Sequence, residues 1–171
     1  MTQLTVLRHA KSSWDHPGLD DFDRPLNDRG RKAARRLGRE LKQRKIRFDH
    51  VIASPAVRVR ETIEELAKGY GELPEPRFDS QIYGAGAEAL LHVVRHIPET
   101  VHAPLLVGHN PGLQELVLAL ARDGGDGLRS RVSEKFPTAA LALIELSATR
   151  WDEVETQSGT IVELLLPREL D

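Results

Sequence analysis

Short apolar runs alternate with amphipathic segments along this chain, and this alternation restricts the possible folds more than any other feature. The apolar runs have the length of strands, and the segments between them carry apolar residues at helical spacing. The predicted strands span residues 3–8, 50–54, 104–109, 140–146 and 160–166, and the predicted helices span 27–43, 55 to about 68, about 87–96 and about 111–121. Strands that alternate with helices form a largely parallel sheet covered on both faces, so we predict a three-layer α/β/α sandwich.

Residue types that start and stop helices stand at the ends of these elements. Asn27 is a favourable N-cap for the first helix. Pro55 suits the first turn of the second helix, with Ser54 as its N-cap. The glycine-rich stretch 124–127 marks a mobile loop. The last two predicted strands can pair with each other around the polar segment between them.

Length and charge exclude several classes of protein. The 171 residues fit one domain, 1–171, that buries its own core. The absence of cysteine excludes disulfides, thiolate nucleophiles and cysteine-based metal sites. With 24 basic and 26 acidic residues, the formal net charge of -2 is too balanced for a general nucleic-acid or membrane surface, so any anion site must be local. No apolar run approaches the ~18 residues of a membrane span, and we expect a cytoplasmic protein.

Polar residues with functional potential follow three of the predicted strands. Arg8 and His9 end the first strand, Ser54 ends the second with Arg58 one helical turn later, and His109 ends the third. Ligands of parallel sheets bind outside the carboxyl ends of the strands. Two imidazoles and two guanidiniums from distant parts of the chain are therefore expected to meet in one crevice.

These four groups suit the chemistry of a phosphoryl group. Guanidiniums bind phosphate oxygens in a fork geometry and stay charged. A neutral imidazole is a good nucleophile toward phosphorus, and a covalent phosphohistidine divides one difficult displacement into two easier ones. The sequence offers no cluster of metal ligands, so we expect neither a metal nor a cofactor.

Three motifs in order resemble the histidine phosphatase superfamily, which includes cofactor-dependent phosphoglycerate mutases and acid phosphatases. The motifs are R-H-A at 8–10, S-P-x-x-R-x-x-x-T at 54–62 and G-H-N-P at 108–111. Ala10 departs from the glycine that usually follows Arg-His in the family. The short chain, R-H-A-K-S-S-W and D-R-P-L-N-D-R-G at 23–30 are most similar to the compact bacterial phosphohistidine phosphatases of the SixA-like branch.

The resemblance implies a role for each matching residue. His9 would be the nucleophile that becomes phosphorylated, Arg8 and Arg58 would hold the phosphoryl oxygens, and His109 would stabilise the transferring group. Thr62 lies one turn beyond Arg58, where it either supports that residue or is an ordinary buried helix threonine.

A general acid is harder to identify. Larger members of the family place an acidic residue after the middle strand, but segment 78–86 offers only Asp79. Asp15 is the other candidate, because it stands where many relatives have asparagine. A phosphoramidate leaving group can arrive already protonated and needs less help than an alkoxide, so a missing acid would favour phosphohistidine over sugar phosphates.

Two further patterns have ordinary explanations. His92 and His96 have the spacing of metal ligands on a helix, but H-V-V-R-H lacks the glutamate of a zinc-protease helix, and we expect surface or partly buried histidines. The basic run 29–39 carries Ala and Leu at the spacing of a solvated helix face, and we expect no nucleic-acid binding and no membrane binding.

The sequence therefore predicts a metal-independent phosphatase that acts through a phosphohistidine intermediate. The expected substrate is phosphohistidine on a protein, such as a phosphorelay or phosphotransfer component. One alternative is a phosphomonoesterase or mutase that acts on a small phosphorylated metabolite. Another is an inactive phosphoprotein-binding module, although a binding module has no need to keep the nucleophile.

Overall fold

A six-stranded sheet forms the centre of the computed structural model, which describes residues 2–170. The strands are β1 (Thr2–Arg8), β2 (His50–Ala53), β3 (Arg77–Phe78), β4 (Pro104–Gly108), β5 (Leu141–Leu146) and β6 (Gly159–Leu165), in the order β3-β2-β4-β1-β5-β6. Strands β3, β2, β4 and β1 are parallel, and β5 is antiparallel to both β1 and β6. The predicted α/β class and mostly parallel sheet are confirmed.

Helices cover both faces of the sheet because side chains alternate along each strand. The helices are α1 (Asp28–Gln43), α2 (Val57–Tyr70), α3 (Ala87–Arg95), α4 (Gly112–Leu120) and α5 (Leu128–Glu134). In β4, Leu105 and Val107 belong to the buried cluster that includes α1 and α2, whereas Leu106 belongs to the cluster that includes α3, α4 and α5. The structure therefore has the three predicted layers.

Helices α1 and α2 approach closely because glycines stand at their crossing. A Cβ at Gly38 would lie 2.2 Å from the carbonyl oxygen of Leu66, and one at Gly69 would lie 2.0 Å from that of Arg35. The α1 cap is the predicted one, since Asn27 Oδ1 accepts the Gly30 N–H at 2.8 Å. The close packing of α1 against α2 at these glycines positions α2, the helix that carries Arg58.

Three features of the chain differ from the sequence prediction. Helix α2 begins at Val57 with Ala56 as N-cap, so the prediction that Ser54 caps the helix is wrong. The Ser54 hydroxyl instead contacts His109. Strand β3 and helix α5 were missed, because β3 has two exposed residues and α5 buries only Val132. None of the helices in the described residues is both long and apolar enough to cross a bilayer.

Candidate active site

The carboxyl ends of β1, β2 and β4 bring the four predicted residues to one place. Arg8 and His9 end β1, Arg58 lies in the first turn of α2, and His109 directly follows β4. The backbone N–H of His9 donates to the carbonyl oxygen of Gly108 at 3.0 Å, and the two imidazole rings have centroids 5.4 Å apart. All four residues line one open cleft of about 620 Å³.

His9 is held as a neutral imidazole with one defined tautomer. Its Nδ1 lies 2.7 Å from the carbonyl oxygen of Ala10. Because a carbonyl oxygen only accepts, Nδ1 carries the proton and Nε2 keeps its lone pair. Burial lowers the pKa of His9 to about 3, and the nearby charges of Arg58, His109 and Arg8 act in the same direction, opposed by the Ala10 hydrogen bond. Nε2 therefore carries no proton at neutral pH, and its lone pair is available.

Thr62 connects the nucleophile loop to the helix that carries Arg58. Its Oγ1 accepts the Ala10 N–H at 2.9 Å and donates to the carbonyl oxygen of Arg58 at 2.6 Å. The side chain is 1% exposed, so water cannot replace these bonds. Thr62 thus supports the backbone of Arg58 and of the loop after His9, and the guanidinium of Arg58 is held by other groups.

Three nitrogen atoms of the cleft have no hydrogen-bond partner among the described residues. Arg8 Nη1 donates to the carbonyl oxygen of Phe136 at 3.2 Å, while Arg8 Nε, Arg58 Nε and His109 Nδ1 are buried without a partner in residues 2–170. Burial and the charge of Arg58 lower the pKa of Arg8. An unsatisfied buried donor costs about 1–3 kcal/mol, so the two guanidinium Nε–H groups in one cleft are typical of a site prepared for an anion.

His109 is oriented by the residue that was predicted to cap α2. Its Nε2 shares a hydrogen bond of 2.7 Å with Ser54 Oγ. That oxygen accepts the Ala56 N–H at 3.3 Å. The ring of Tyr83 meets the His109 ring edge-on, with centroids 5.4 Å apart. Burial lowers the pKa of His109 to about 4, helped by Arg58 and Arg8 and opposed by Asp21. Both imidazoles of the cleft are thus neutral at pH 7.

Asp21 is a site residue that sequence reasoning missed. Its Oδ2 accepts Arg58 Nη2 at 3.0 Å and the Tyr83 hydroxyl at 2.7 Å, and its Oδ1 accepts Arg24 Nε at 3.1 Å. Its backbone carbonyl also accepts Arg58 Nη1 at 2.7 Å. The hydrogen bond from Tyr83 first, and those from Arg58 and Arg24, hold its pKa at about 2. The one signal in the sequence was the spacing of Asp21 and Arg24, which suits an i, i+3 ion pair.

The structure does not place either predicted general acid in the cleft. Asp15 lies in the exposed segment 15–20, which follows the rim residue Trp14 and does not line the cleft. Asp79 lines a separate cavity of about 190 Å³, and its Oδ1 accepts the Gln81 N–H. Among the described residues that line the cleft, Glu134 alone carries a carboxyl group, and it is exposed.

The rim of the cleft is built by an exposed tryptophan on a buried arginine. Trp14 is 77% exposed, and the Arg24 guanidinium carbon lies 3.6 Å from the centre of its ring. Arg24 Nη1 also donates to Ser12 Oγ at 2.7 Å. Trp14 and Arg24 therefore form one stacked pair at the entrance of the cleft.

The histidines with metal-ligand spacing are exposed at the end of α3: His92 lies in its last turn and His96 is its C-cap. Their ring centroids are 4.1 Å apart. The carbonyl oxygen of His92 pairs with His96 Nδ1 at 2.8 Å. Within residues 2–170, no group of three or more His, Asp or Glu side chains is placed to hold a metal ion.

Comparisons with known proteins agree with this geometry. A sequence model of the histidine phosphatase superfamily (branch 1) matches residues 4–82. An uncharacterized protein of Mycobacterium tuberculosis strain H37Rv is 32% identical over 164 residues, covering 95% of this chain and 100% of that protein. Phosphohistidine phosphatase SixA of Escherichia coli K12 is 28% identical over 152 residues, 84% of this chain and 85% of its own length.

Solved structures share the fold over nearly the whole chain. A candidate phosphohistidine phosphatase SixA from Agrobacterium tumefaciens has a TM-score of 0.79 and 29% identity, covering 97% of this chain and 98% of that one. A protein histidine phosphatase SixA in complex with tungstate has a TM-score of 0.77 and 23% identity, covering 99% and 100%. A phosphoserine phosphatase variant of Entamoeba histolytica reaches 0.65 at 14% identity over both full chains, which shows the fold alone.

Proposed function

Because this chain belongs to the histidine phosphatase superfamily, it is a phosphatase with a histidine nucleophile, and we propose that His9 is that nucleophile and a protein phosphohistidine its substrate. The observation that carries this proposal is the state of His9. Its Nδ1 proton is committed to the carbonyl oxygen of Ala10, and its low pKa keeps Nε2 unprotonated in a cleft lined by guanidiniums. Nucleophile and anion-binding groups thus lie together before substrate arrives.

The first step is transfer of the phosphoryl group to His9. Nε2 attacks phosphorus, a new P–N bond forms, and the P–N bond to the substrate imidazole breaks. A substrate ring that carries a proton on its distal nitrogen leaves as neutral imidazole. Arg8 and Arg58 hold the phosphoryl oxygens, and their spare N–H groups stabilise the charge that develops there.

The second step is hydrolysis of phospho-His9. Water attacks phosphorus, the P–N bond to His9 breaks, and inorganic phosphate leaves with the protons of the water. Nε2 recovers its lone pair, so the enzyme returns to its starting state. In this proposal His109 donates to the phosphoryl group in both steps, since its ring centroid lies 5.4 Å from that of His9 and its Nδ1 has no partner in the described chain. The neutral ring carries its proton on Nδ1 when the Ser54 hydroxyl donates to Nε2.

Two features support a protein phosphohistidine as substrate. The cleft is open, with exposed Trp14 at its rim, so a side chain on a folded partner can enter. Its lining includes only one described carboxyl group, Glu134, which is exposed. An imidazole leaving group needs little proton donation, whereas an alkoxide needs an acid of suitable pKa close to the leaving oxygen. A phosphorelay or phosphotransfer protein is a partner with this chemistry.

Turnover of a phosphohistidine peptide and of several phosphate monoesters, with a chelator present, tests the proposal. Wild type should hydrolyse the phosphohistidine peptide fastest, and His9→Ala should be inactive on all substrates. Preference for a monoester would replace the substrate by a small phosphorylated metabolite. Loss of turnover on chelation would overturn metal independence.

A trapping experiment separates an enzyme from an inactive binding module. Treatment with a reactive phosphoryl donor, followed by rapid quenching at alkaline pH, should leave phosphate on His9 of the wild-type protein. His109→Gln should retain the label longer if His109 assists hydrolysis. A protein that binds phosphohistidine peptides but never takes up label would be a binding module.

A further inference from the structure

A second, strongly basic cleft lies beside the active site. Its volume is about 290 Å³, and it shares Lys11 and Thr138 with the active-site cleft. Five basic side chains line it, and no acidic residue of the described chain does; they are Lys11, Arg29, Lys32, Arg36 and Arg168. A cation-rich cleft that continues into the catalytic cleft can hold part of the same ligand.

Three separate parts of the fold build this basic cleft. Arg29, Lys32 and Arg36 lie three and four residues apart, on one side of α1. Lys11 follows β1 and is held against the start of α1, since its carbonyl oxygen accepts the Asn27 N–H at 3.0 Å. A Cβ at position 30 would lie 2.1 Å from that same oxygen, so only glycine permits this approach. The basic residues of α1 are thus joined in one cleft by two residues that are distant in sequence, Lys11 and Arg168.

The third part is the 3-10 turn Pro167–Glu169, which carries Arg168. The carbonyl oxygen of Pro167 accepts Arg36 Nη1 at 3.5 Å, which connects the turn to α1. Arg168 therefore faces the cations of α1 from another element, and both belong to the lining of one cleft.

Most of these cations are available to a ligand. Lys11, Arg29, Lys32 and Arg168 are exposed and form no ion pair with any residue in 2–170. Elsewhere on α1, Arg31 pairs with Asp28 at 3.1 Å and Arg35 with Glu65 at 3.5 Å. Four exposed positive charges around one cleft repel each other, and an anionic ligand relieves that repulsion.

We propose that this basic cleft binds an acidic segment of the phosphorylated protein, next to the phosphohistidine that enters the active site. The inference rests on the proposed function and adds the recognition of the partner. Lys11 lines both clefts, so an occupant can reach the basic cleft and His9 together. Aspartate and glutamate side chains that flank the phosphohistidine meet this requirement, and a nucleic acid that lacks phosphohistidine does not.

The test compares two synthetic phosphohistidine peptides, one with glutamates and one with glutamines around the modified residue. At low salt, wild type should show about tenfold higher kcat/KM for the glutamate peptide, because several exposed charge pairs each contribute a factor of about two to five. The preference should vanish at about 1 M salt, where the Debye length is about 3 Å. No preference at low salt would overturn the proposal.

A charge-reversal variant with a matched control locates the effect. Arg29→Glu/Lys32→Glu/Arg168→Glu should remove the preference and leave turnover of small phosphoramidate unchanged. Arg39→Glu/Lys42→Glu/Arg47→Glu changes the net charge equally at exposed positions outside the cleft and should keep the preference. If both variants lost the preference for the glutamate peptide equally, the effect would come from the net charge of the whole protein, and the proposed site would be overturned.

Binding of the unphosphorylated glutamate peptide, measured by fluorescence anisotropy, separates this inference from the proposed function. If no phosphoramidate substrate were hydrolysed, the proposed function would be wrong. The anisotropy measurement would still show whether the basic cleft binds the peptide. Tighter binding of a single-stranded oligonucleotide, lost in the variant of the basic cleft alone, would assign the cleft to nucleic acid and overturn the proposal.

Discussion

Acidification from pH 7 to pH 5 should destabilise this protein through His9 and His109. Both imidazoles are neutral in the folded protein, His9 buried and His109 half-buried, with pKa values of about 3 and about 4. The ordinary pKa of an exposed histidine is about 6.5. In this pH range the two histidines bind protons in the unfolded chain but not in the folded protein, so the free energy of unfolding falls as the pH falls. The destabilisation begins near pH 6.5 and continues until the folded pKa values are reached.

The magnitude follows from the distance between pH 5 and the unfolded pKa. This distance is about 1.5 units, and each unit corresponds to about 1.4 kcal/mol, so each histidine contributes about 2 kcal/mol. The two together lower the free energy of unfolding by at most about 4 kcal/mol, a large share of the ~5–15 kcal/mol that holds a typical domain together.

Urea unfolding at pH 7, 6 and 5 measures this effect, with the double variant His9→Asn/His109→Gln as control. Asparagine keeps a donor where His9 Nδ1 contacts Ala10, and glutamine keeps a polar group near Ser54. The variant should lose clearly less stability on acidification than wild type. Inorganic phosphate should flatten the wild-type profile, because a bound anion stabilises the charged imidazoles. Parallel profiles for the two proteins would refute the assignment of buried, neutral histidines.

Three further substitutions test individual contacts. Asp21→Asn keeps an acceptor but removes the charge that holds Arg58, and we expect about a tenfold lower kcat. Inhibitory phosphate should bind no more weakly than to wild type, since a competing anion is gone. An equal loss in kcat and in phosphate affinity would contradict a positioning role. Thr62→Val leaves the buried Ala10 N–H without its partner and should cost about 1–3 kcal/mol in urea unfolding, whereas Thr62→Ser should restore most of it. Asp15→Asn should leave phosphohistidine turnover unchanged, because Asp15 lies outside the cleft. Glu134→Gln should reduce turnover of monoesters more than of phosphohistidine, because Glu134 is the one carboxyl group among the described lining residues and an alkoxide needs an acid. Steady-state kinetics on both substrates measure these effects.

Elements with strong periodicity were predictable from the sequence, and weak ones were not. Helix α1 was predicted with its cap because Asn27 and the apolar spacing act over a few neighbouring residues. Strand β3 forms only because Ile52 and Ala53 of β2 pair with it, so nothing within its two residues predicts it. The start of α2 shifted because the Ser54 hydroxyl, a good cap by type, contacts His109.

The same division holds for the site. The convergence of Arg8, His9, Arg58 and His109 was predictable, because strand ends in a parallel sheet meet at one edge and each residue follows a recognisable strand. Asp21 was not, since its contacts with Arg58 and Tyr83 join residues 37 and 62 positions away. The basic cleft likewise depends on Arg168, which packs beside a helix far earlier in the chain.

The sequence by itself therefore determined the order of the strongly periodic strands and helices, the residues that end three of those strands, and the phosphoryl chemistry that these residues suit. Backbone propensity and side-chain periodicity are local, so neighbouring residues contain that information. Only the tertiary structure decided which carboxylate holds Arg58, which proton His9 carries and which cations share a cleft. Those properties arise from burial and from contacts between distant segments, and they exist only after the sheet and its helices have packed together.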